Sequence, residues 1–592
     1  MYDLVFDIKP VKGLIISGQG VFKGYEYKSK SYTALQPNAI NYFSGEEIAG
    51  TGVTKNKMSM DWQSTNTMLY TATARYDWSN DKHAVGALVG TSYEHYKYER
   101  LAGSREEFPS DALTDMEAGS TSGAGYTNGA GSSEYKMLSY FARVNYTLMD
   151  RYLFEVNMRA DASSRFHKDH RWGYFPSFSA GWRMSEESFM KDIEWINNLK
   201  IRASYGTLGN INNVGNYDYF QNYSSGNHYN FSDSPVIGIG ESKPANETLG
   251  WEKVALTDIG LDFDIFNGLL GVTADYYIKN TSDILLGYNV PTETGITAAP
   301  SQNIGKVKNT GFELALNHRN KIGAVNYSIG ANIATNKNKI TNLGGSDNII
   351  QTSSYIVKYI LKKGESIGSF YGFKTDGLYT QADIDAGHYY TLSEVVPNAG
   401  DIKFVPQRDI EYKQEITDED RTILGKDVPD FTYGVNLSLQ YKGFEFSMFG
   451  QGISGTKVAF DVYGVHPFYH GQDSPRKYHL KRWTEENPNP HAAYPRIYSA
   501  SSVHTTYNRN FSDYHLFDSD YFRFKTLSLG YTVPSATVKN WGLQSLKVYV
   551  TGENLFTVRA DKKMEDFDPE TAGGVIYTLG TKSVAFGVNI SF

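Results

Sequence analysis

Residues 583–592, SVAFGVNISF, constrain this chain more than any other stretch. Val584, Phe586, Val588, Ile590 and Phe592 fall on one parity, with Ala585, Gly587, Asn589 and Ser591 on the other, the period of two of a β-strand. A strand with one apolar face needs a partner, and a terminal aromatic left in water costs free energy. The same alternation returns upstream. Tyr152, Phe154, Val156, Met158 and Ala160 oppose Glu155, Asn157, Arg159 and Asp161. Leu138, Tyr140, Ala142, Val144, Tyr146 and Leu148 oppose Ser139, Arg143, Asn145 and Thr147, with Phe141 out of step. Leu270, Val272, Ala274, Tyr276 and Ile278 oppose Thr273, Asp275 and Lys279; Tyr327, Ile329, Ala331 and Ile333 oppose Asn326, Ser328 and Asn332.

Alternation suits a soluble sandwich or a barrel in lipid, so other features must decide. No stretch approaches the roughly 18 uninterrupted apolar residues of a membrane helix, which excludes a helical membrane protein but not a barrel, whose strands hide their apolar residues by alternation. The 57 basic and 65 acidic residues leave a net charge of −8 with no long like-charged block, so no nucleic-acid partner is expected. The absence of cysteine removes disulfides, thiol nucleophiles and cysteine metal sites, and is compatible with an oxidising compartment. The N-terminus, MYDLVFDIKPVKGL, lacks the basic and apolar regions of a secretion signal, so an exported protein would carry further sequence upstream.

The connections separate the two architectures. Short ones occur at SND before Lys82, MD before Arg151, FNG before Leu269, RNK near Lys321 and YKG before Phe444. They alternate with long ones at 28–66, 96–133, 209–251, 282–307, 338–429, 461–518 and 557–580, so the long loops emerge at one end. Outer-membrane barrels have this asymmetry, with short periplasmic turns and long external loops. About 17 strands of roughly 9 to 13 residues match the length needed to cross the hydrocarbon at a tilt, and Tyr and Phe crowd strand ends in RYDWSND, DRYLF, DYYIK and SDYFRF, where an aromatic belt would sit. The expected fold is an all-β, antiparallel transmembrane β-barrel of the outer-membrane type. The last strand then faces lipid, with Phe592 in the interface.

Several segments are similar, in order and across essentially the whole chain, to one family. They include YFARVNYTLMDRYLFEVNMRADASSRF, WGYFPSFSAGWRMSEESF, LKIRASYGTLGN, NIGKVKNTGFELALNHRN, GESIGSFYGFKTDGLY, DRTILGKDVPDFTYGVNLSLQYKGFEFSMFGQGISG and VYVTGENLFT. The chain resembles the SusC/RagA family of TonB-dependent outer-membrane transporters. The resemblance implies a barrel of about 22 strands, an N-terminal plug pulled by the TonB complex, a SusD/RagB-like surface lipoprotein as lid, and an oligosaccharide or oligopeptide as cargo. It also implies that terminal Phe592 is the signal read by the outer-membrane assembly machinery. No plug or TonB-contact segment is recognisable, so residues 1–592 are expected to be the C-terminal barrel portion of a transporter, about five strands short of a full barrel.

No enzyme activity is expected: there is no G-x-x-x-x-G-K-[ST] and no H-E-x-x-H, and no cofactor is expected. Aromatic residues in the predicted external loops are the candidate ligand contacts: Tyr217, Tyr219 and Phe220 in one loop, with Tyr229 nearby; Tyr371, Tyr389 and Tyr390 in a second; Tyr463, Phe468, Tyr469, Tyr478 and Trp483 in a third. Flat rings with polar neighbours give large contact area at low entropy cost, although loop packing and lid docking use the same residue types. The histidines His167, His170, His466, His470 and His479 are expected at the surface rather than on a metal. The run GDIKFVPQRDIEYKQEITDEDR, with Asp401, Asp409, Glu411, Asp418, Glu419 and Asp420, lacks the glycine turn of a calcium loop and reads as a solvated acidic loop. Glu155, Arg159, Asp161, Asp262, Asp264 and Asp275 read as the polar inner lining. Two other readings remain at this stage: a plugless porin or adhesin, or an extracellular glycan-binding or glycan-degrading β-protein; a truncated, non-functional transporter would look the same.

Overall fold

The computed structural model describes residues 1–121, 125–231, 234–287, 301–352, 356–460, 466–467, 475–570 and 580–592. The chain divides into two compact units, one made of 1–179, 206–253 and 285–303, the other of 180–205, 254–284 and 304–592. Eighteen strands carry the main ladders among the described residues. Two of them, Val325–Thr335 and Lys337–Leu343, pair with Ser301–Ile322 in one register as far as a bulge at Lys306/Val307, and are a single strand interrupted at Asn336. The strand number therefore agrees with the expected value.

In the first unit Tyr2–Ile8, Leu14–Thr33, Lys57–Ser79, His83–Glu106, Thr127–Leu148 and Tyr152–Ser163 follow one another as consecutive antiparallel neighbours. In the second, Val325–Thr335, Phe431–Tyr441, Phe444–Ser454, Tyr521–Thr532, Ser545–Arg559 and Ser583–Ser591 do the same. Tight turns close the short ends. Met149-Asp150 and Lys442-Gly443 have positive φ at both central residues, the mirror-image turn whose twist matches flanking strands. Gly443 is required there: at φ +90° a Cβ would also lie 2.7 Å from the Thr532 carbonyl oxygen.

Five strands reach 20 residues or more, against the expected 9 to 13: Leu14–Thr33 has 20, Lys57–Ser79 has 23, His83–Glu106 has 24, Thr127–Leu148 has 22 and Ser301–Ile322 has 22. Segments assigned to loops at 28–66 and 96–133 are therefore largely paired strand. The outward parity shows why their ends were missed. From Trp78, Val85 and Tyr146 the outer face is apolar as far as Met68, Tyr93 and Leu138, and then becomes Asn66, Lys97, Glu134 and Glu26. The change falls on one cross-strand row, Phe22, Met68, His95 and Lys136. Alternation vanishes above that row because both faces meet water.

Ten residue steps at about 3.4 Å, tilted by roughly 45°, give a band about 25 Å tall, the apolar height of an outer-membrane barrel. Tyr70, Tyr93 and Tyr140 mark its upper edge, and Tyr76, Trp78, Tyr146 and Phe154 its lower edge, two aromatic girdles. The band's large apolar side chains, Val89, Tyr140, Val144, Phe154 and Val156 among them, are exposed, which no soluble sandwich would tolerate over such an area. Phe141 is explained by its partner. It points to the polar face, where Gly90 lies opposite without a side chain and the Arg159 guanidinium sits 5.6 Å from its ring.

Buried cores lie mainly outside this band. Phe166, Phe175, Val214, Leu249 and Trp251 form one in the first unit. In the second, the connections after Leu343 and after Ser454 fold on three clusters, centred on Phe373, Ile402, Phe404 and Tyr507; on Phe370, Phe511 and Leu516; and on Phe460, Phe517 and Phe567.

Candidate ligand-binding surface

The polar strand face is knitted from its own charges. Arg159 donates to Asp161 at 2.8–2.9 Å and to Ser139 at 3.0 Å, and Arg143 to Asn157 at 2.7 Å. In the second unit Arg202 stands among Asp258, Asp262 and Asp275 at 2.6–3.3 Å. A guanidinium with several carboxylates satisfies its fork of donors without burying an unpaired charge. A cavity of about 590 Å³ opens on this face in the first unit, lined by Arg143, Asn157, Arg159 and Asp161 with Phe141 and Phe175.

Above the lipid boundary the same face turns aromatic. The rows run Lys23, Thr67, Tyr96, Tyr135; then Tyr25, Thr65, Tyr98, Ser133; then Tyr27, Gln63, Arg100, Gly131. Tyr25 and Tyr27 are exposed. Tyr96 and Tyr135 stack at 5.0 Å, the Tyr135 hydroxyl donates to Glu94 at 2.6 Å, and the Arg165 guanidinium covers the Tyr135 ring at 4.3 Å. Arg100 holds Asp61 through two nitrogens at 2.6–3.1 Å. Rows are about 6.8 Å apart and strands about 4.8 Å, so phenol rings, hydroxyls and amides tile a rigid wall. Gly129 and Gly131 leave open space beside it. This wall was not among the residues singled out from sequence; the signal was tyrosine at i and i+2 in GYEYK and HYKYER.

The predicted loop aromatics divide. Tyr217 and Phe220 are exposed, and the Tyr217 hydroxyl accepts from the Glu134 backbone N–H at 3.2 Å, pinning that loop to the wall strand with Asn216 on Ser133 at 2.5 Å. Tyr219 is buried against Phe220 at 4.2 Å between ring centres. In the second unit Tyr371 and Tyr389 are half-buried. Trp483 is 5 % exposed, packed over Gly400 with Arg496 5.5 Å from its ring, and Tyr478 is buried in another core cluster. Trp483, Tyr478 and Tyr219 thus serve packing. Tyr463, Phe468 and Tyr469 lie outside the described residues.

Two expectations need correction. His466 and His479 are not surface residues, being 2 % and 1 % exposed. The His466 ring lies 5.3 Å from His515; burial depresses both, His515 to about 4, so they are neutral packing groups at neutral pH. His470 lies outside the described residues. The acidic run is solvated only in part: Asp409, Glu411, Asp418 and Glu419 are exposed, whereas Asp401 and Asp420 are not. Asp401 is buried and accepts from His504 Nδ1, Asn508 Nδ2 and the Asn398 N–H at 2.7–2.8 Å. Asp420 is buried too; it accepts from Arg408 Nη2 at 2.6 Å and from the N–H groups of Thr417, Gln407 and Arg408 at 2.9–3.0 Å. Burial pushes its carboxyl up, but these donors outweigh that and bring it down to about 2. The two carboxylates cross-link their loop, a role that needs a buried anion and gives no local sequence pattern. Among the described residues no three His, Asp or Glu side chains gather as a metal site.

Comparison with known proteins agrees with this geometry. Residues 15–555 match the family described as TonB dependent receptor-like, beta-barrel. TonB-dependent receptor P3 of Formosa agariphila is 30 % identical over 545 residues, 90 % of this chain and 52 % of that protein. TonB-dependent receptor SusC of Bacteroides thetaiotaomicron is 29 % identical over 467 residues, 77 % of this chain and 43 % of that protein. The solved RagAB peptide transporter shares the fold, with a TM-score of 0.81 at 24 % identity, covering 100 % of this chain and 61 % of that one. The chain spans about half the length of the curated relatives it matches. With its lipid-facing band and polar inner face, it belongs to the TonB-dependent receptor-like β-barrel family, is of the SusC/RagA type, and is a protein of the outer membrane.

Proposed function

We propose that residues 1–592 form the barrel portion of a longer TonB-dependent importer that takes up oligosaccharides or oligopeptides. Its energy would come from TonB through a plug domain, and a SusD/RagB-like lipoprotein would cover its external mouth. The observation that carries this reading is the tyrosine wall on the inner face above the lipid boundary, continuous with the polar strand face below. A pore lining needs only polar side chains. A receptor surface needs rigid rings beside hydrogen-bonding groups, because rings supply contact area with few torsions to freeze. Tyr25, Tyr27 and Tyr98 are the proposed principal contacts, with Tyr217 and Phe220 from the adjoining loop and Tyr371 and Tyr389 in the second unit. Phe592, on an exposed apolar strand face, is the proposed assembly signal. The solved relative named above is titled a peptide transporter, and the wall's phenols and amides suit either cargo.

The test uses the full-length protein with its lipoprotein, exposed to a mixture of neutral oligosaccharides and a tryptic peptide digest, with retained species identified by mass. Retention of one class, reduced about tenfold in a Tyr25→Ala/Tyr98→Ala variant that still folds, supports the reading. A variant retaining the same species as the parent refutes the wall as receptor, and passage of both classes without retention points to an unselective pore.

A further inference from the structure

On the strand pair Ser301–Ile322 and Val325–Leu343 the lipid-facing parity carries a lysine cluster directly above the apolar band. Reading outward, the rows are Leu316 with Ala331, Leu314 with Ile333, Phe312 with Thr335, Thr310 with Lys337, and Lys308 with Lys339. The register is unbroken through the interruption at Asn336, so the lysines stand on the face that carries the apolar residues. Lys306 follows on the first strand after a bulge. All four lysines are exposed, and none makes an ion pair among the described residues. Some other exposed lysines above the band are paired, as in Lys97 with Glu99 and Lys55 with Glu107.

Lys308 and Lys339 are direct cross-strand partners, an arrangement that destabilises a ladder unless an anion lies between them. Beside them lies a concavity of about 480 Å³ lined by Lys337, Lys339, Asn336, Glu365, Ser366 and Lys426. Lys426 is held by Asp430. The short turn after Ile322 and the long connection after Leu343 put this row at the external side. Phosphate headgroups of the outer leaflet lie at that height, and acyl chains run along the strip beneath.

We propose that Lys306, Lys308, Lys337 and Lys339 seat a phosphorylated lipid headgroup of the surrounding outer leaflet, its acyl chains lying against Phe312, Leu314 and Ile333. The complementarity is double: uncompensated ammonium groups face phosphate, and apolar side chains face hydrocarbon within one register.

The experiment takes the full-length protein, stripped of lipid in detergent, and measures binding of diphosphorylated lipid A, of the same lipid with both phosphates removed, and of inorganic phosphate by native mass spectrometry. The expected result is retention of the diphosphorylated lipid alone. A Lys308→Gln/Lys339→Gln variant should bind it about 30-fold more weakly, from the usual contribution of a lysine at an anionic surface, and Lys308→Arg/Lys339→Arg should retain it. Heat-modifiable gel mobility verifies that each variant is folded. Equal retention of the dephosphorylated lipid, or equal binding by the folded glutamine variant, would overturn the proposal. Binding of inorganic phosphate without the lipid would also overturn it, as a free-anion site. The lipid comparison needs no variant and decides the matter even if the substitutions block folding.

Discussion

Val89 and Leu101 lie on the same strand and the same outward face, and are 58 % and 59 % exposed. By exposure alone a lysine at either position should be harmless, within about 0.5 kcal/mol. The register assigns them to different solvents. Val89 pairs with Ala74 and Ala142, midway between the upper girdle at Tyr70 and Tyr140 and the lower one at Tyr76 and Tyr146. Leu101 pairs with Trp62 and Ala130, beyond the row of Met68, His95 and Lys136. Six residues separate His95 from Leu101, about 20 Å along a strand. Val89→Lys should therefore cost about 2–4 kcal/mol, the penalty of a lysine near the midplane, while Leu101→Lys should cost almost nothing. The assay is urea-driven folding of the full-length protein into vesicles, followed by heat-modifiable mobility. The predicted difference is about 30-fold or more in the folding equilibrium. Equal behaviour of the two variants would refute the placement of the lipid boundary.

Asp420→Ala should release residues 405–421 to fast hydrogen exchange, since it leaves three backbone donors without their acceptor, at a local cost of about 3 kcal/mol, while Arg408 keeps Glu419 and the Glu415 carbonyl. The same clamp predicts a pH response: the folded carboxyl titrates at about 2 against an ordinary 3.8, so its contribution of about 2 kcal/mol is complete above about pH 4 and lost as pH falls through 2. Exchange of that segment followed from pH 6 to 2 checks it, and protection unchanged at the acid end would count against the clamp. Gly90→Val should sharply reduce the folded fraction, because a Cβ there would lie 2.5 Å from the Phe141 ring and 3.0 Å from the Ala72 carbonyl oxygen; Gly90→Val with Phe141→Ala should recover part of it on the same gel assay. Arg523→Gln removes a buried guanidinium held by Asp568 and Glu570 at 2.6–2.7 Å, and should expose residues 560–570 to limited proteolysis while leaving the strands protected.

Much of the architecture was legible because lipid imposes a strict rule: a strand crossing it must alternate, and its backbone must be fully paired. That rule marked the strands ending at Leu148, beginning at Tyr152 and closing the chain at Phe592, and it explains why the expected strand number survived. It stopped working where lipid stops. Tyr25, Tyr27, Tyr96 and Tyr98 looked like loop residues since neither face around them is apolar, yet hydrogen-bonded neighbours on both sides keep the strands going. Loop contents were least legible. Trp483 and Tyr478 share the composition of ligand contacts, and only long-range packing reveals them as core.

By itself, then, the amino-acid order determined the class of fold, the solvent each strand face meets and the family, since these rest on local periodicity, turn chemistry and motifs. Tertiary structure alone decided which aromatics line the inner wall, which histidines and carboxylates are buried, and which lysines stand unpaired beside lipid. Those properties depend on partners tens of residues distant in the chain, as Lys308 and Lys339 illustrate: neither position announces the other until the register sets them side by side.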